Sequence, residues 1–182
     1  MFSRLSLITI AVFVAGLVAP AWAGSKDKVF FESVAGVWQG PGEIVAGKYK
    51  GTKFVCKLTG GPTTEHSVGV EMDGHCRVGV FSQKMSAFIG REGSDYTGRF
   101  LDGAKGEGLD ITSGIVRGNK IVVGINRKKL NGAMVAHLEE PNTMNVTISV
   151  SVRDELIPVI GMTLSRDRQI GSVKRDDSDH LR

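Results

Sequence analysis

The sequence predicts an all-β protein, an antiparallel up-and-down meander that closes into a barrel of about eight to ten strands. From Gly36 onward, apolar and polar residues alternate in short runs that turn residues separate. Each such run is typical of a strand with one buried and one solvated face. No long segment there repeats apolar residues at helical spacing. Closing the sheet on itself would remove its exposed edges; a two-sheet sandwich is the alternative.

The beginning of the chain has the three-part pattern of a secretory signal peptide, expected over residues 1–23. One positive charge at Arg4 precedes an apolar run from Leu5 to Val18, and Ala21-Trp22-Ala23 supplies a cleavage site. A membrane anchor is the competing interpretation, but a spanning helix needs about 20 apolar residues, and this run is shorter and is followed by Pro20. We therefore expect cleavage after Ala23, no transmembrane anchor afterwards, and a periplasmic or secreted protein.

The rest of the chain is expected to form one domain with two short flanking segments. Residues 24–35 are an N-terminal lead-in whose Val29, Phe30 and Phe31 would cover one barrel end as a short helix or turn. Residues 36–166 form the barrel, and residues 167–182 are a charged tail with a composition typical of disorder. The net charge of the chain is only +4 and its basic residues are spread out, so we expect no nucleic-acid partner.

The alternation predicts individual strands and the turns between them. The clearest strand runs from Thr143 to Ser151, and the ambiguous segment from Phe81 to Phe88 favours a strand. Another strand should bury Leu109, Ile111 and Ile115. The side chains expected to point inward are Trp38, Phe54, Leu58, Ile111, Ile121, Val123, Met134, Leu138, Met144, Val146, Ile148, Met162 and Leu164. Hairpin turns are expected at Asp73-Gly74, Gly118-Asn119, Asn131-Gly132 and Pro141-Asn142.

The two cysteines are expected to form a structural disulfide. Cys56 shares the apolar face of its strand with Leu58, and Cys76 shares the corresponding face with Val78 and Val80, so two neighbouring strands could be joined from their inner faces. An exported protein meets an oxidising compartment, where such a pair normally becomes a disulfide. Two separate buried thiols are the alternative. The pair lacks C-x-x-C spacing, which argues against a redox function.

The motif Gly36-Val37-Trp38, which opens the first predicted strand, resembles the first signature of the lipocalins and their wider barrel superfamily. In those proteins the tryptophan closes one barrel end and packs against an arginine of the last strand. The resemblance therefore implies that Trp38 and Arg166 form a barrel-closing contact in which the guanidinium stacks on the indole. The layout is also similar to small exported barrels of Gram-negative bacteria, including the alkaline metalloprotease inhibitors. Those inhibitors act through an N-terminal segment, but nothing in Gly24 to Val29 identifies one.

The chain offers little that could carry catalysis or hold a metal. It has no G-x-S-x-G elbow, no H-E-x-x-H motif and no phosphate-binding loop before a helix. Its four histidines, His66, His75, His137 and His180, are scattered in sequence, and we expect His137 to face water. We therefore expect no catalytic residue, no metal site and no cofactor.

The sequence favours a non-enzymatic periplasmic binding or envelope-associated protein that holds a small apolar ligand in the barrel. The residues expected to line a ligand site are Met134, Leu138, Met144, Val146, Ile148 and Met162. Flexible thioethers suit varied ligand shapes, although core filling explains the methionines equally well. The alternative is a surface-acting interaction module with an envelope protein partner, such as a protease inhibitor. A cavity of several hundred Å³ would favour ligand binding in the barrel, whereas a packed barrel would favour interaction through its surface.

Overall fold

A computed structural model describes residues 23–101 and 108–167 and confirms the predicted barrel. The expected signal peptide up to Trp22 and the tail residues 168–182 lie outside the described residues. In the described part, no helix is long and apolar enough to cross a membrane. The described elements are α1 (Ala23–Val34), β1 (Gly36–Ile44), β2 (Lys53–Pro62), β3 (Gly69–Val78), β4 (Phe81–Glu92), β5 (Asp95–Leu101), β6 (Leu109–Arg117), β7 (Lys120–Arg127), β8 (Leu130–Glu140), β9 (Thr143–Val152) and β10 (Glu155–Arg166).

The ten strands form one closed antiparallel sheet. Each strand pairs with its neighbours in sequence, and β1 pairs with β10 to close the barrel, so a two-sheet sandwich is wrong. The closed end of the barrel is where β1 begins and β10 ends, and the connections after β2, β4, β6 and β8 lie there. The mouth is the opposite end, where the connections after β1, β3, β5, β7 and β9 lie. Helix α1 precedes β1 and therefore reaches the barrel at its closed end.

The predicted alternation places the core inside the barrel. The thirteen side chains expected to form the inward set, from Trp38 to Leu164, all belong to the core or pack against it, and Trp38, Val123 and Leu164 are completely buried. The pattern is clearest in β7, where Ile121, Val123 and Ile125 are buried and the residues between them are not. Burial of each large apolar side chain contributes about 1.5–3 kcal/mol, so this inner wall is a main source of stability.

Two of the four predicted hairpin turns are wrong. Gly118-Asn119 and Pro141-Asn142 do lie between strands, whereas Asp73-Gly74 lies inside β3 and Asn131-Gly132 inside β8. The glycines in these strands are required by close backbone approach. A Cβ on Gly74 would lie 2.0 Å from the Lys57 carbonyl oxygen of β2. A strand glycine of this kind marks a close neighbouring backbone as readily as a turn.

Three further apolar residues that the strand pattern predicted to be buried, Val78, Val80 and Ile115, are exposed. Val78 is the last residue of β3, at the mouth. A register shift between Ile111 and Ser113 reverses the alternation, so Ile115 is 45% exposed. Such a β-bulge adds one residue to a strand and moves the following side chains to the other face. Val80 is 89% exposed because β3 ends at Val78 and Val80 lies in the turn to β4.

The predicted disulfide between Cys56 and Cys76 is confirmed. The two residues are directly opposite each other in the register of β2 and β3. Cys56 is completely buried, and both cysteines face the barrel interior. The disulfide therefore joins two neighbouring strands across the inner wall.

Removing this disulfide should destabilise the barrel. The bond closes a loop over a sequence separation of 20 residues, and a loop of this size restricts the unfolded chain by about 3 kcal/mol. A Cys56→Ala, Cys76→Ala double variant should lose about that amount of unfolding free energy, measured by urea denaturation. The intact mass of the exported wild-type protein should be two hydrogens below that of its reduced form. Equal stability of the two proteins would show that the bond does not act in this way.

Candidate functional site: barrel closure and interior cavity

Trp38 and Arg166 form the contact that the lipocalin resemblance implies. The Cζ atom of Arg166 lies 4.2 Å from the centroid of the Trp38 ring, and the two residues are paired in the register of β1 and β10. The indole is completely buried, and its Nε1 donates a hydrogen bond of 2.8 Å to the carbonyl oxygen of Val34. The pair therefore joins the first strand, the last strand and the helix.

Arg166 also binds the C-terminal end of α1. Its Nη2 donates to the Ser33 carbonyl oxygen at 2.6 Å, its Nη1 donates to the Ala35 carbonyl, and its Nε donates to the Pro141 carbonyl at 3.2 Å. The last carbonyls of a helix lack partners within the helix and carry the negative end of its dipole. A guanidinium at this position satisfies these carbonyls and complements their charge.

The structure requires a glycine at the first position of the Gly36-Val37-Trp38 motif. Gly36 has a φ of 126°, a conformation that residues with a side chain rarely adopt. A Cβ at this position would lie 2.6 Å from Nη1 of Arg166. The glycine therefore turns the chain from the helix into β1 and leaves room for the guanidinium.

A second polar contact, which the sequence did not predict, holds the other end of α1. The Asp27 carboxylate accepts a hydrogen bond of 2.9 Å from Nη1 of Arg91 and one of 2.6 Å from the Tyr96 hydroxyl. Tyr96 is buried, and its ring packs against Phe31 of the helix with 5.9 Å between centroids. The helix is thus fixed to the barrel at both ends, which places Phe30 and Phe31 across its closed end.

Burial raises the pKa of Tyr96 well above its ordinary value. The hydrogen bond to Asp27 and the negative charge of that carboxylate raise it further, and the nearby Arg91 charge opposes the shift. The hydroxyl is therefore a hydrogen-bond donor throughout the neutral range.

An apolar cavity of about 80 Å³ lies inside the barrel under α1. Phe30, Phe31 and Val34 of the helix form part of its wall, and residues of eight strands form the rest. Among the described lining residues, Ser86 is the single polar side chain. Five of the six predicted ligand-lining residues do line it: Met134, Met144, Val146, Ile148 and Met162. The sixth, Leu138, is buried in the core but does not line the cavity, since it lies at the closed end of β8 beside a register shift.

The sequence missed Met72 and Met85, which also line the cavity. With them, all five methionines of the chain after Met1 face this one cavity. The disulfide lies in the same wall, with Sγ of Cys56 3.9 Å from Sδ of Met162. The alternation around Met72 could have revealed it, because Met72 lies four residues before the inward Cys76.

The described histidines lie away from the cavity lining. His66 stacks on the ring of Phe88 with 5.6 Å between centroids. His137 is half-buried and its Nε2 lies 3.1 Å from Nδ2 of Asn119, while His75 is exposed. His180 lies outside the described residues. Within the described ranges, no three histidine, cysteine or acidic side chains group together as metal ligands would.

Fold and site together define a closed ten-stranded antiparallel barrel that a helix caps and that encloses an apolar cavity. This architecture is compatible with a lipocalin-like barrel. No family model matches the chain, and no curated protein matches it.

Truncation of Trp38 should strongly destabilise the protein. Trp38→Ala removes a completely buried ring and its hydrogen bond, and a large-to-small core change of this kind costs about 3–5 kcal/mol. The measurement is the unfolding free energy from urea denaturation. Tyr49→Ala is a matched control, because this aromatic side chain is 63% exposed. A loss at Trp38 no greater than that at Tyr49 would contradict the closing function of the contact.

Stability should fall at alkaline pH because of Tyr96. Its pKa is raised in the folded state, so its contribution is fully present below the unfolded-state pKa of about 10 and is lost as the pH rises above that value. Tyr96→Phe should cost about 1–2 kcal/mol at neutral pH, through the lost hydrogen bond to Asp27.

The difference in unfolding free energy between wild type and Tyr96→Phe should therefore stay constant up to about pH 9 and shrink as the pH rises above about 10. Tyr49→Phe, at an exposed position, serves as the control for the remaining alkaline effects. A wild-type advantage over Tyr96→Phe that also stays constant above about pH 10 would show that Tyr96 does not titrate as described.

Proposed function

We propose that this protein is a non-enzymatic, lipocalin-like carrier that holds a small, mostly hydrocarbon ligand in its barrel and acts in the periplasm or at the cell envelope. The observation that carries the proposal is the convergence of all five methionines after Met1 on one cavity. They come from five different strands, β3, β4, β8, β9 and β10.

Methionine differs from the other apolar residues in what it does to a cavity wall. Its unbranched side chain and polarisable sulfur adapt to irregular shapes and are frequent at surfaces that bind varied partners. A core that only has to be filled is better served by leucine, isoleucine and valine, whose rotamers are well defined. Five methionines around one space therefore favour a wall that adjusts to an occupant.

The wall also determines the chemistry of the ligand. Since Ser86 is the single polar side chain among the described lining residues, a polar ligand would lose its water without gaining hydrogen bonds, at a cost of several kcal/mol per group. An apolar ligand pays no such cost. The ligand is therefore mostly hydrocarbon.

The size of the cavity restricts the ligand further. A volume of about 80 Å³ falls short of the several hundred Å³ that would by itself favour a ligand, and it is below the range of about 300–1,000 Å³ that is typical of sites for drug-sized molecules. The ligand is therefore slender, such as a single hydrocarbon chain, or as small as one ring. Rotation of the methionine side chains supplies the remaining space.

Three features support the proposed class and location. The Trp38–Arg166 contact closes the barrel in the manner of the lipocalins, and the Cys56–Cys76 disulfide suits an oxidising compartment such as the periplasm. The signal-peptide pattern of residues 1–23 agrees with export. The alternative of a protease inhibitor needs a free N-terminal segment, whereas Phe30, Phe31 and Val34 of α1 are buried against the barrel.

An apolar fluorescent probe should bind the folded protein at a ratio near one to one. Diphenylhexatriene is suitable, because it is slender, uncharged and fluorescent in apolar surroundings. Met144→Trp should weaken its binding about tenfold or more by filling the cavity, and Ala136→Phe should do the same from the neighbouring strand. Both residues line the cavity, and circular dichroism reports whether each variant folds.

Ile115→Trp is the matched control, because it adds a large ring at an exposed position of the outer wall. Its probe affinity should equal that of the wild type. If the probe fails to bind, or binds both folded cavity variants unchanged, the carrier proposal is wrong and the surface of the barrel carries the function.

A further inference from the structure

The mouth of the barrel concentrates exposed apolar side chains. Of the thirteen large apolar residues that are exposed in the described part of the chain, eleven lie in the mouth connections or among the three strand residues next to them. They include Tyr49, Val80, Phe81 and Leu156, which are 63%, 89%, 78% and 57% exposed. Exposed apolar groups that cluster in this way mark an interaction surface more often than single ones do.

Several of these side chains continue the inner wall. Phe81, Leu130 and Val152 lie an even number of residues from Met85, Met134 and Ile148, which line the cavity on the same strands. Because alternate residues of a strand share a face, their positions belong to the inner surface of the barrel. At the mouth, however, they are 78%, 39% and 50% exposed, respectively.

The described mouth connections also carry an excess of positive charge. In the four mouth connections that are described in full, together with two residues on each side, eight residues are basic and three are acidic. The same count at the four connections of the closed end gives three basic and five acidic residues. The apolar end of the barrel is therefore also its positive end.

We propose that the mouth docks on an anionic lipid bilayer. Apolar tips such as Val80 and Phe81 would enter the interfacial layer, while lysines such as Lys50 and Lys129 would reach the lipid phosphates with their long side chains. Tyr49, with the ammonium of Lys48 5.5 Å from its ring, combines the two kinds of group in one place, as is common at membrane interfaces.

A bilayer fits this surface better than an acidic protein does. The exposed apolar residues are distributed over all five mouth connections and the strand ends beside them. A fluid surface accepts separate tips without a matching contour, whereas a protein interface requires close shape complementarity. Docking does not depend on the proposed carrier function. It would nevertheless let an apolar ligand pass from the bilayer to the barrel without crossing water.

The test is co-sedimentation with lipid vesicles, and it uses protein that is purified after export. The protein should bind vesicles of phosphatidylcholine containing about one third phosphatidylglycerol, and should bind much less to phosphatidylcholine alone, since anionic lipid attracts basic side chains. A Lys50→Glu, Lys129→Glu double variant should bind about tenfold more weakly or worse. Phe81→Ser should weaken binding by about tenfold.

Matched variants at other positions separate the mouth from general charge and hydrophobicity. Arg117→Glu with Lys120→Glu makes the same charge change at the closed end, and Val29→Ser removes an exposed apolar side chain of α1. Both should bind vesicles as the wild type does. Lys50→Glu with Lys129→Glu should still bind diphenylhexatriene, because neither lysine lines the cavity, so a failure of docking is distinguishable from a failure of the carrier function.

Three outcomes would overturn the proposal. The first is wild-type protein that does not sediment with anionic vesicles, and the second is mouth variants that bind no more weakly than the closed-end variants. The third is wild-type protein that does not bind vesicles but binds polyglutamate, with the binding lost in the Lys50→Glu, Lys129→Glu variant. The occupant of the mouth would then be an acidic protein.

Discussion

The guanidinium of Arg166 is the group on which the closed end of the barrel depends. It stacks on Trp38 and donates hydrogen bonds to the carbonyls of Ser33, Ala35 and Pro141. These partners belong to the first strand, the end of the helix and the turn before β9. Without this cation, the carbonyls at the helix end would lose their partners, which is costly wherever water cannot replace them. One side chain thus connects the first and last strands of the barrel and holds the helix against them.

The fixed helix in turn determines what the interior can be. Arg166 holds the end of α1, and Asp27 holds its beginning through Arg91 and Tyr96. Phe30 and Phe31 are therefore kept over the cavity, where they extend its apolar wall. The polar contacts lie around the helix, and the space beneath it has almost no polar side chain. This separation allows a barrel with an apolar interior to have a hydrogen-bonded cap.

The sequence was sufficient for the features that follow from local alternation. Strand faces and the disulfide were predicted because a period of two depends only on neighbouring residues, whereas the Trp38–Arg166 contact was predicted from the resemblance to the lipocalins. The bulge after Ile111 was not, because nothing in the residue types shows where one extra residue enters a strand. The Asp27 contact was missed because it joins residues 64 and 69 positions apart. Such a pairing requires the register of the closed barrel, which the sequence does not contain.

The two ends of the barrel differ in how much apolar surface they leave exposed to water. At the closed end, buried aromatic rings and polar contacts leave little apolar surface in water, which is the ordinary outcome of folding. At the mouth, Val80 and Phe81 remain exposed beside basic turns, although a polar residue at either position would cost the fold nothing that the structure shows. Stability alone therefore does not account for these residues. A surface that receives them during function does account for them, and the positive charge around them indicates that this surface is anionic.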